Sequence, residues 1–152
     1  MMTKNRMLGS ALVVTMLLLG VSVYAQVKRS YHNGSVWSIA FIRVKPGMGE
    51  AYMSYLTGQW KANQEAAKKE KLILSYKVIE TENHGNDDWN LMLMTEYKDL
   101  ATMEANEPKE DALAQKQIGD DTKQMQGYRE RSEVREVMGN RLAREIVLEP
   151  RP

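Results

Sequence analysis

The sequence contains no cysteine, and this absence excludes several kinds of site and of fold support. Without thiols the chain has no disulfide, no thiolate metal site and no thiol nucleophile. A lipid-anchored lipoprotein is excluded as well, because such an anchor is attached to a cysteine that follows the leader. The hydrophobic core must therefore hold the fold together by itself.

The chain also lacks an excess of charge of either sign. It has 21 Lys and Arg residues against 20 Asp and Glu residues. A near-neutral domain offers no basic surface for nucleic acid or for an anionic membrane. The sequence has no P-loop, no dinucleotide-binding glycine pattern, no nucleophile elbow and no metalloprotease helix. We therefore expect no nucleic-acid partner, no metal and no organic cofactor.

The long hydrophobic run of the chain lies at its N-terminus. A short basic start precedes an uncharged, mainly apolar run over residues 7–24, and Ala25 ends this run in front of Gln26. This layout predicts a signal peptide over residues 1–25, cleaved near Ala25, and export to a periplasmic or extracellular location. The alternative is an uncleaved anchor, because the run approaches the roughly 20 residues that span a membrane.

A flexible lead-in over residues 26–34 and a single domain over residues 35–149 are predicted after the signal peptide. Apolar residues on both faces predict buried strands, and apolar residues at three- and four-residue steps predict a helix. Gly139-Asn140 reads as a helix stop, and the mixed charges of residues 129–136 read as a solvated helical face. The predicted elements are a strand over 35–44, a helix over 48–71, strands over 72–81 and 89–97, a short helix capped by Asp99, a further helix opened by Pro108 and a strand over 144–149.

This order is the β-α-β-β-α-β arrangement of ferredoxin-like domains. It predicts an α+β fold with a four-stranded antiparallel sheet and helices on one face. The other face would carry Trp, Met and Leu side chains, and exposing these side chains to water is unfavourable. We therefore expect a second copy of the chain to cover this face in a homodimer.

Two segments of the chain resemble a known family. Residues 41–47, Phe-Ile-Arg-Val-Lys-Pro-Gly, are similar to the first strand and turn of the dimeric α/β-barrel superfamily, which includes antibiotic-biosynthesis-monooxygenase-like domains and stress-responsive barrel proteins. Residues 89–101 resemble the third strand and the entry to the second helix of these domains, and the similarity covers about residues 35–105. The resemblance implies sheets that close into a barrel between two subunits. The activities that it implies are oxidation of small aromatic compounds without a metal or organic cofactor, haem degradation, or no catalysis.

Histidine is scarce, and His84 is our first candidate for a catalytic base. It lies in a predicted hairpin loop with Asp87 and Asp88, where a carboxylate could orient its imidazole. The alternative is a solvated loop of turn-forming residues. His32 falls in the predicted lead-in and is expected to have no role.

A set of aromatic residues and methionines could line an apolar pocket, with Asn90, Ser38 or Ser75 as orienting polar groups. The same side chains could instead be core or dimer contacts. The set consists of Trp37, Tyr76, Trp89, Met92 and Met94. We therefore expect a dimer that binds a small, largely apolar molecule. The alternatives are a cofactor-independent oxygenase for a small aromatic substrate and a non-catalytic assembly module.

Overall fold

The computed structural model describes residues 29–82, 85 and 88–150. The predicted signal peptide and its cleavage site lie outside these residues. The elements belong to one compact unit that begins at Tyr31. The elements are β1 (Tyr31–Val44), helix α1 in three segments (α-helical Gly49–Tyr55, π-helical Leu56–Trp60 and α-helical Lys61–Lys69), β2 (Ser75–Glu80), β3 (Leu91–Tyr97), α2 (Leu100–Gln117), α3 (Asp121–Val134) and β4 (Arg135–Leu148).

The four strands form one antiparallel sheet in the order β2-β3-β1-β4. β1 lies between β3 and β4, with Ala40 opposite Leu93 and with Ile39 opposite Arg141. β2 pairs only with β3, so β1 and β2 run parallel and α1 connects them. The predicted α+β fold with a four-stranded antiparallel sheet is confirmed, and the strand order is consistent with a ferredoxin-like arrangement.

The first and last strands, β1 and β4, depart most from the sequence prediction. β1 begins at Tyr31, so residues 31–34 of the predicted lead-in are part of a strand. β4 begins at Arg135, and the predicted stop at Gly139-Asn140 is wrong because both residues pair with β1. Long-range pairing supplies hydrogen-bond partners to a segment whose local sequence favours no single state. The helical interpretation of residues 129–136 holds only as far as Val134.

The helices begin and end close to where their turn and capping residues place them. Gly47 adopts a φ of 77°, a left-handed conformation that glycine tolerates best, and this turn leads from β1 into α1. The side chain of Asp99 accepts a hydrogen bond of 2.7 Å from the backbone N–H of Thr102, as expected for an N-cap. The predicted break at Pro108 is wrong, because α2 continues through this residue.

The buried core lies on one face of the sheet. Ile42 and Leu91 pack against Tyr52 and Leu56 of α1 in one cluster. A second cluster is formed by Leu72, Ile73 and Tyr97, with partly buried side chains from α1, β2 and α2. Side chains alternate along a strand, so the residues between these core positions point to the opposite face.

The opposite face of the sheet, here called the open face, is mainly apolar at its centre. Cross-strand pairing places Trp37, Ile39 and Phe41 of β1 beside Met92 and Met94 of β3. These side chains are half-buried. Charged residues lie around them, with Lys77 over the Trp37 ring at 4.8 Å and Arg43 paired with Glu136. The predicted central strand with a Met-bearing side is thus present, although β3 begins at Leu91 rather than at residue 89.

Candidate functional site

A cleft of about 300 Å³ lies between the sheet and the helices. Its walls come from the last segment of α1, from the C-terminal end of β3 and from the second half of α2. We call it the sheet–helix cleft. Its lining residues are Asn63, Gln64, Ala67, Ile73, Thr95, Tyr97, Glu110, Asp111, Leu113, Ala114 and Gln117.

Helical and strand periodicity bring these walls together. On α2, Glu110, Leu113, Ala114 and Gln117 recur at three- and four-residue steps and therefore share one face. On β3, Thr95 and Tyr97 have the same parity as the core residues. The buried side-chain amide of Asn106 donates to the carbonyl of Leu72 at 3.3 Å, which fixes α2 against the segment that follows α1.

The polar centre of the cleft is a carboxylate and a phenol. The Tyr97 hydroxyl donates to Oε2 of Glu110 at 3.2 Å. The other carboxylate oxygen, Oε1, is buried and has no hydrogen-bond partner among the described residues. A buried acceptor without a donor is costly, by about 1–3 kcal/mol. A ligand with an O–H or N–H group would supply the missing donor.

Burial shapes the protonation of both groups. It raises the pKa of the half-buried Glu110 above its ordinary value, although the hydrogen bond from Tyr97 works in the opposite direction. Burial also raises the pKa of Tyr97 to about 12, with a further contribution from the nearby Glu110 carboxylate. Tyr97 therefore stays a hydrogen-bond donor at ordinary pH, while Glu110 is a weaker acid than a solvated glutamate.

The remaining lining combines the polar residues Asn63, Asp111 and Gln117, one further side-chain hydrogen bond and an apolar wall. The Thr95 hydroxyl donates to Oε1 of Gln64 at 3.4 Å. Ala67, Ile73 and Leu113 provide aliphatic surface beside these groups. The combination suits a small molecule that is mostly apolar and carries one or two hydrogen-bonding groups.

The residues that the sequence predicts as ligand contacts do not form one pocket. Trp37, Met92 and Met94 lie on the open face, and the Trp89 ring contacts Phe41 on the same side at 5.0 Å. Tyr76 lies on the helix face instead, opposite Thr95. Strand alternation thus places Tyr76 on the opposite face of the sheet from Trp37, Met92 and Met94.

Tyr76 has its own neighbours on the helix face. Its ring meets Trp60 edge to face at 5.3 Å, and its hydroxyl donates to Glu65 at 2.5 Å. Tyr76 packs against the core cluster that contains Tyr97. It is the one residue of the predicted set that lies near the sheet–helix cleft.

Two of the three predicted orienting groups, Asn90 and Ser75, make side-chain hydrogen bonds within the protein. The side-chain oxygen of Asn90 accepts from the backbone N–H of Val44 at 2.9 Å. The Ser75 hydroxyl donates to the Glu96 carboxylate, while Ser38 pairs in register with Thr95 on the helix face. Neither Asn90 nor Ser75 reaches the sheet–helix cleft.

Only one of the two histidines, His32, lies among the described residues. His84, the predicted catalytic base, lies outside the described residues, as does its neighbour Asp87. His32 lies in β1, where its Nδ1 is 2.9 Å from Oε1 of Glu149 and both side chains are exposed. Asp88 accepts a hydrogen bond of 2.8 Å from the backbone N–H of Trp89.

Sequence reasoning missed Glu110 and Tyr97. Tyr97 was visible as the last residue of a strand whose alternate positions are apolar. Glu110 precedes Leu113 by three residues, which places it on the same side of α2 as an apolar residue. Because α2 has no continuous apolar stripe, this spacing is only a weak signal for the site.

Across residues 29–82, 85 and 88–150, no group of three or more His, Asp or Glu side chains could hold a metal ion. No helix in that part of the chain has the length and apolar character needed to cross a membrane. No family model matches the sequence, and comparisons with curated proteins and with solved structures found no match.

Proposed function

We propose that the chain is an exported, dimeric α+β-barrel protein that binds a small, largely apolar molecule in the sheet–helix cleft. The observation that carries this proposal is the buried Oε1 of Glu110, which has no hydrogen-bond partner among the described residues and lies in a cleft of about 300 Å³. The strand order supports the resemblance to the dimeric α/β-barrel superfamily. Residues 1–25 have the basic start, the apolar run and the cleavage site of a signal peptide, and this pattern supports export.

The open face supports dimerisation. Its centre is apolar, while charged groups of both signs lie near its edges. Burying apolar surface contributes about 25 cal/mol per Å², and a second copy presents the same apolar area. We expect Ile39→Glu, at the centre of the face, to yield monomers on size-exclusion chromatography with light scattering. Leu74→Glu, at an exposed position outside this face, should leave the dimer intact.

Native mass spectrometry of protein purified from its own exported fraction tests the binding proposal. The expected result is a dimer that carries a small molecule. Ala114→Trp fills the cleft and should abolish retention, whereas Ala112→Trp changes an exposed position two residues away on α2 and should not. A clean monomer without a ligand would refute the proposal, and equal retention by both variants would show that the ligand binds elsewhere.

Export is tested by N-terminal sequencing of the same sample. Cleavage near Ala25 gives a protein that starts at Gln26. A retained residue 1 would instead indicate an uncleaved anchor.

A second candidate function is cofactor-independent oxidation of a small aromatic substrate. The raised pKa of Glu110 and its free oxygen favour this possibility, since a desolvated carboxylate can accept a proton from a phenolic hydroxyl. His84 remains the alternative base. Loss of turnover in Glu110→Gln with turnover kept in His84→Ala would assign the role to Glu110, and the reverse result would assign it to His84. If neither the wild type nor either variant shows turnover, binding or assembly remains as the function.

A further inference from the structure

A second cluster of chemistry-bearing side chains lies where α1, α3 and β4 meet, and it shares no residue with the sheet–helix cleft. It consists of Tyr52, Tyr55, Tyr128, Arg131 and Arg135, and we call it the arginine–tyrosine cluster. The guanidinium of Arg131 lies 4.9 Å from the ring centre of Tyr55. The guanidinium of Arg135 lies 5.8 Å from the Tyr52 ring and 5.9 Å from the Tyr128 ring. The Tyr52 and Tyr55 rings stack at 5.8 Å.

This cluster contains hydrogen-bond donors that lack acceptors. The Tyr52 hydroxyl and the Nε atoms of Arg131 and Arg135 are buried and have no partner among the described residues. Tyr52 itself has a solvent-exposed fraction of 0 %. Buried donors of this kind are nearly always paired in folded proteins, so three of them in one cluster indicate a missing acceptor.

The charge beside the Tyr52 hydroxyl is positive. The charged side chains that act on the Tyr52 hydroxyl are Arg135 and Arg131. Glu136, the acidic residue next to Arg135, is paired with Arg43. The C-terminus of α3 contributes a partial negative charge of about one half, which two guanidinium groups outweigh.

An open groove of about 600 Å³ runs along α3 beside the cluster. It is apolar near the cluster, where it is lined by Met125 and Tyr128, and its acidic residue, Asp121, lies at the other end of the helix. Ten residues separate Asp121 from Arg131, which corresponds to about 15 Å along the helix axis. An anionic group at the arginines is therefore well separated from this carboxylate.

We propose that the arginine–tyrosine cluster binds the carboxylate of a small apolar acid, whose hydrocarbon part lies in the groove along α3. A carboxylate accepts hydrogen bonds from guanidinium N–H groups and from a phenolic hydroxyl, so its chemistry matches that of the unpaired donors. Met125 and Tyr128, each more than half exposed in the structure, gain an apolar contact. This site is independent of the proposed function of the sheet–helix cleft.

Isothermal titration calorimetry of the purified protein with benzoate, with octanoate and with inorganic phosphate tests the proposal. We expect saturable binding of the two carboxylates. Arg131→Gln and Arg135→Gln should each weaken this binding about tenfold, because each removes a charge-assisted hydrogen bond. Arg129→Gln, an exposed arginine on the same helix, should change it less than about twofold.

Tyr52→Phe provides a variant that keeps the packing if an arginine substitution impairs folding. It removes only the buried hydroxyl, and it should also weaken carboxylate binding several-fold. No carboxylate binding by the wild type would overturn the proposal, as would equal affinities across the variants. Phosphate binding that equals or exceeds benzoate binding would overturn the assignment of an apolar acid, since the groove would then contribute nothing.

Discussion

Tyr52 and Tyr97 form a matched pair, because both have buried hydroxyl groups and only the Tyr97 hydroxyl has a partner within the described part of the chain. Their exposed fractions are 0 % and 8 %. Tyr97 donates to Glu110, whereas the Tyr52 hydroxyl has no acceptor among the described residues. The same chemical change, Tyr→Phe, should therefore have opposite effects at the two positions.

The magnitudes follow from the cost of unpaired groups. In the absence of carboxylates, Tyr52→Phe removes a buried orphan donor and should raise the free energy of unfolding by about 1 kcal/mol. Tyr97→Phe leaves both oxygens of Glu110 unpaired and should lower it by about 1–2 kcal/mol. For a domain of this size, about 4 °C accompanies each kcal/mol, so the two melting temperatures should differ by about 8–12 °C.

Urea unfolding followed by tryptophan fluorescence measures these changes, and calorimetry gives the melting temperatures. The three tryptophans of the chain serve as the probe. Equal slopes of the unfolding free energy against urea concentration would show that the variants unfold as the wild type does. If Tyr52→Phe destabilises the protein as much as Tyr97→Phe, the Tyr52 hydroxyl has an acceptor and the argument for the arginine–tyrosine cluster loses its basis.

Further predictions concern pH and the second helix. Burial raises the pKa of Tyr52 and of Tyr97 from 10 to about 12. The stability that their neutral forms contribute is therefore present below pH 10 and is lost as the pH rises to 12. Unfolding titrations across this range should show this loss of stability, and the double Phe variant should lose less. The raised pKa of Glu110 means that its contribution to stability is full below its ordinary value of 4.5 and is lost as pH rises through the raised value. Glu110→Gln should therefore flatten urea stability against pH in the acidic range, and an unchanged profile would contradict this. Pro108→Ala should raise the free energy of unfolding by about 2 kcal/mol in urea titrations, because a proline inside a helix removes a hydrogen bond. A loss of stability on this substitution would contradict the prediction. Asp99→Ala should lower the free energy of unfolding by about 1 kcal/mol, and no change would show that its N-cap bond contributes nothing.

The elements that the sequence predicts well are those whose pattern is local. β1 and β3 have apolar residues on both faces, and α1 has an apolar stripe that begins after a proline–glycine turn. β4 was predicted only over its last residues, because Gly139 and Asn140 are poor strand formers in isolation. Pairing with the central strand β1 determines their conformation, and local sequence does not contain that information.

The candidate site was harder to predict than the fold. The five predicted contact residues were chosen by side-chain type, whereas a pocket depends on which face of the sheet each side chain occupies. Glu110 belongs to the candidate site only because α2 packs against the end of β3, beside Tyr97. Likewise, Arg135 is the first residue of a strand, and its position over Tyr52 follows from the way α3 ends.

The pairing of β1 with β4 has a consequence for how the protein is made. Tyr31 is opposite Leu148, so the central strand finds its last neighbour only after more than a hundred residues have been synthesised. Contacts of such long sequence separation form slowly, because closing the intervening loop costs entropy. A nascent chain therefore cannot complete its sheet until β4 has emerged from the ribosome, and β1 lacks one of its two neighbouring strands until then.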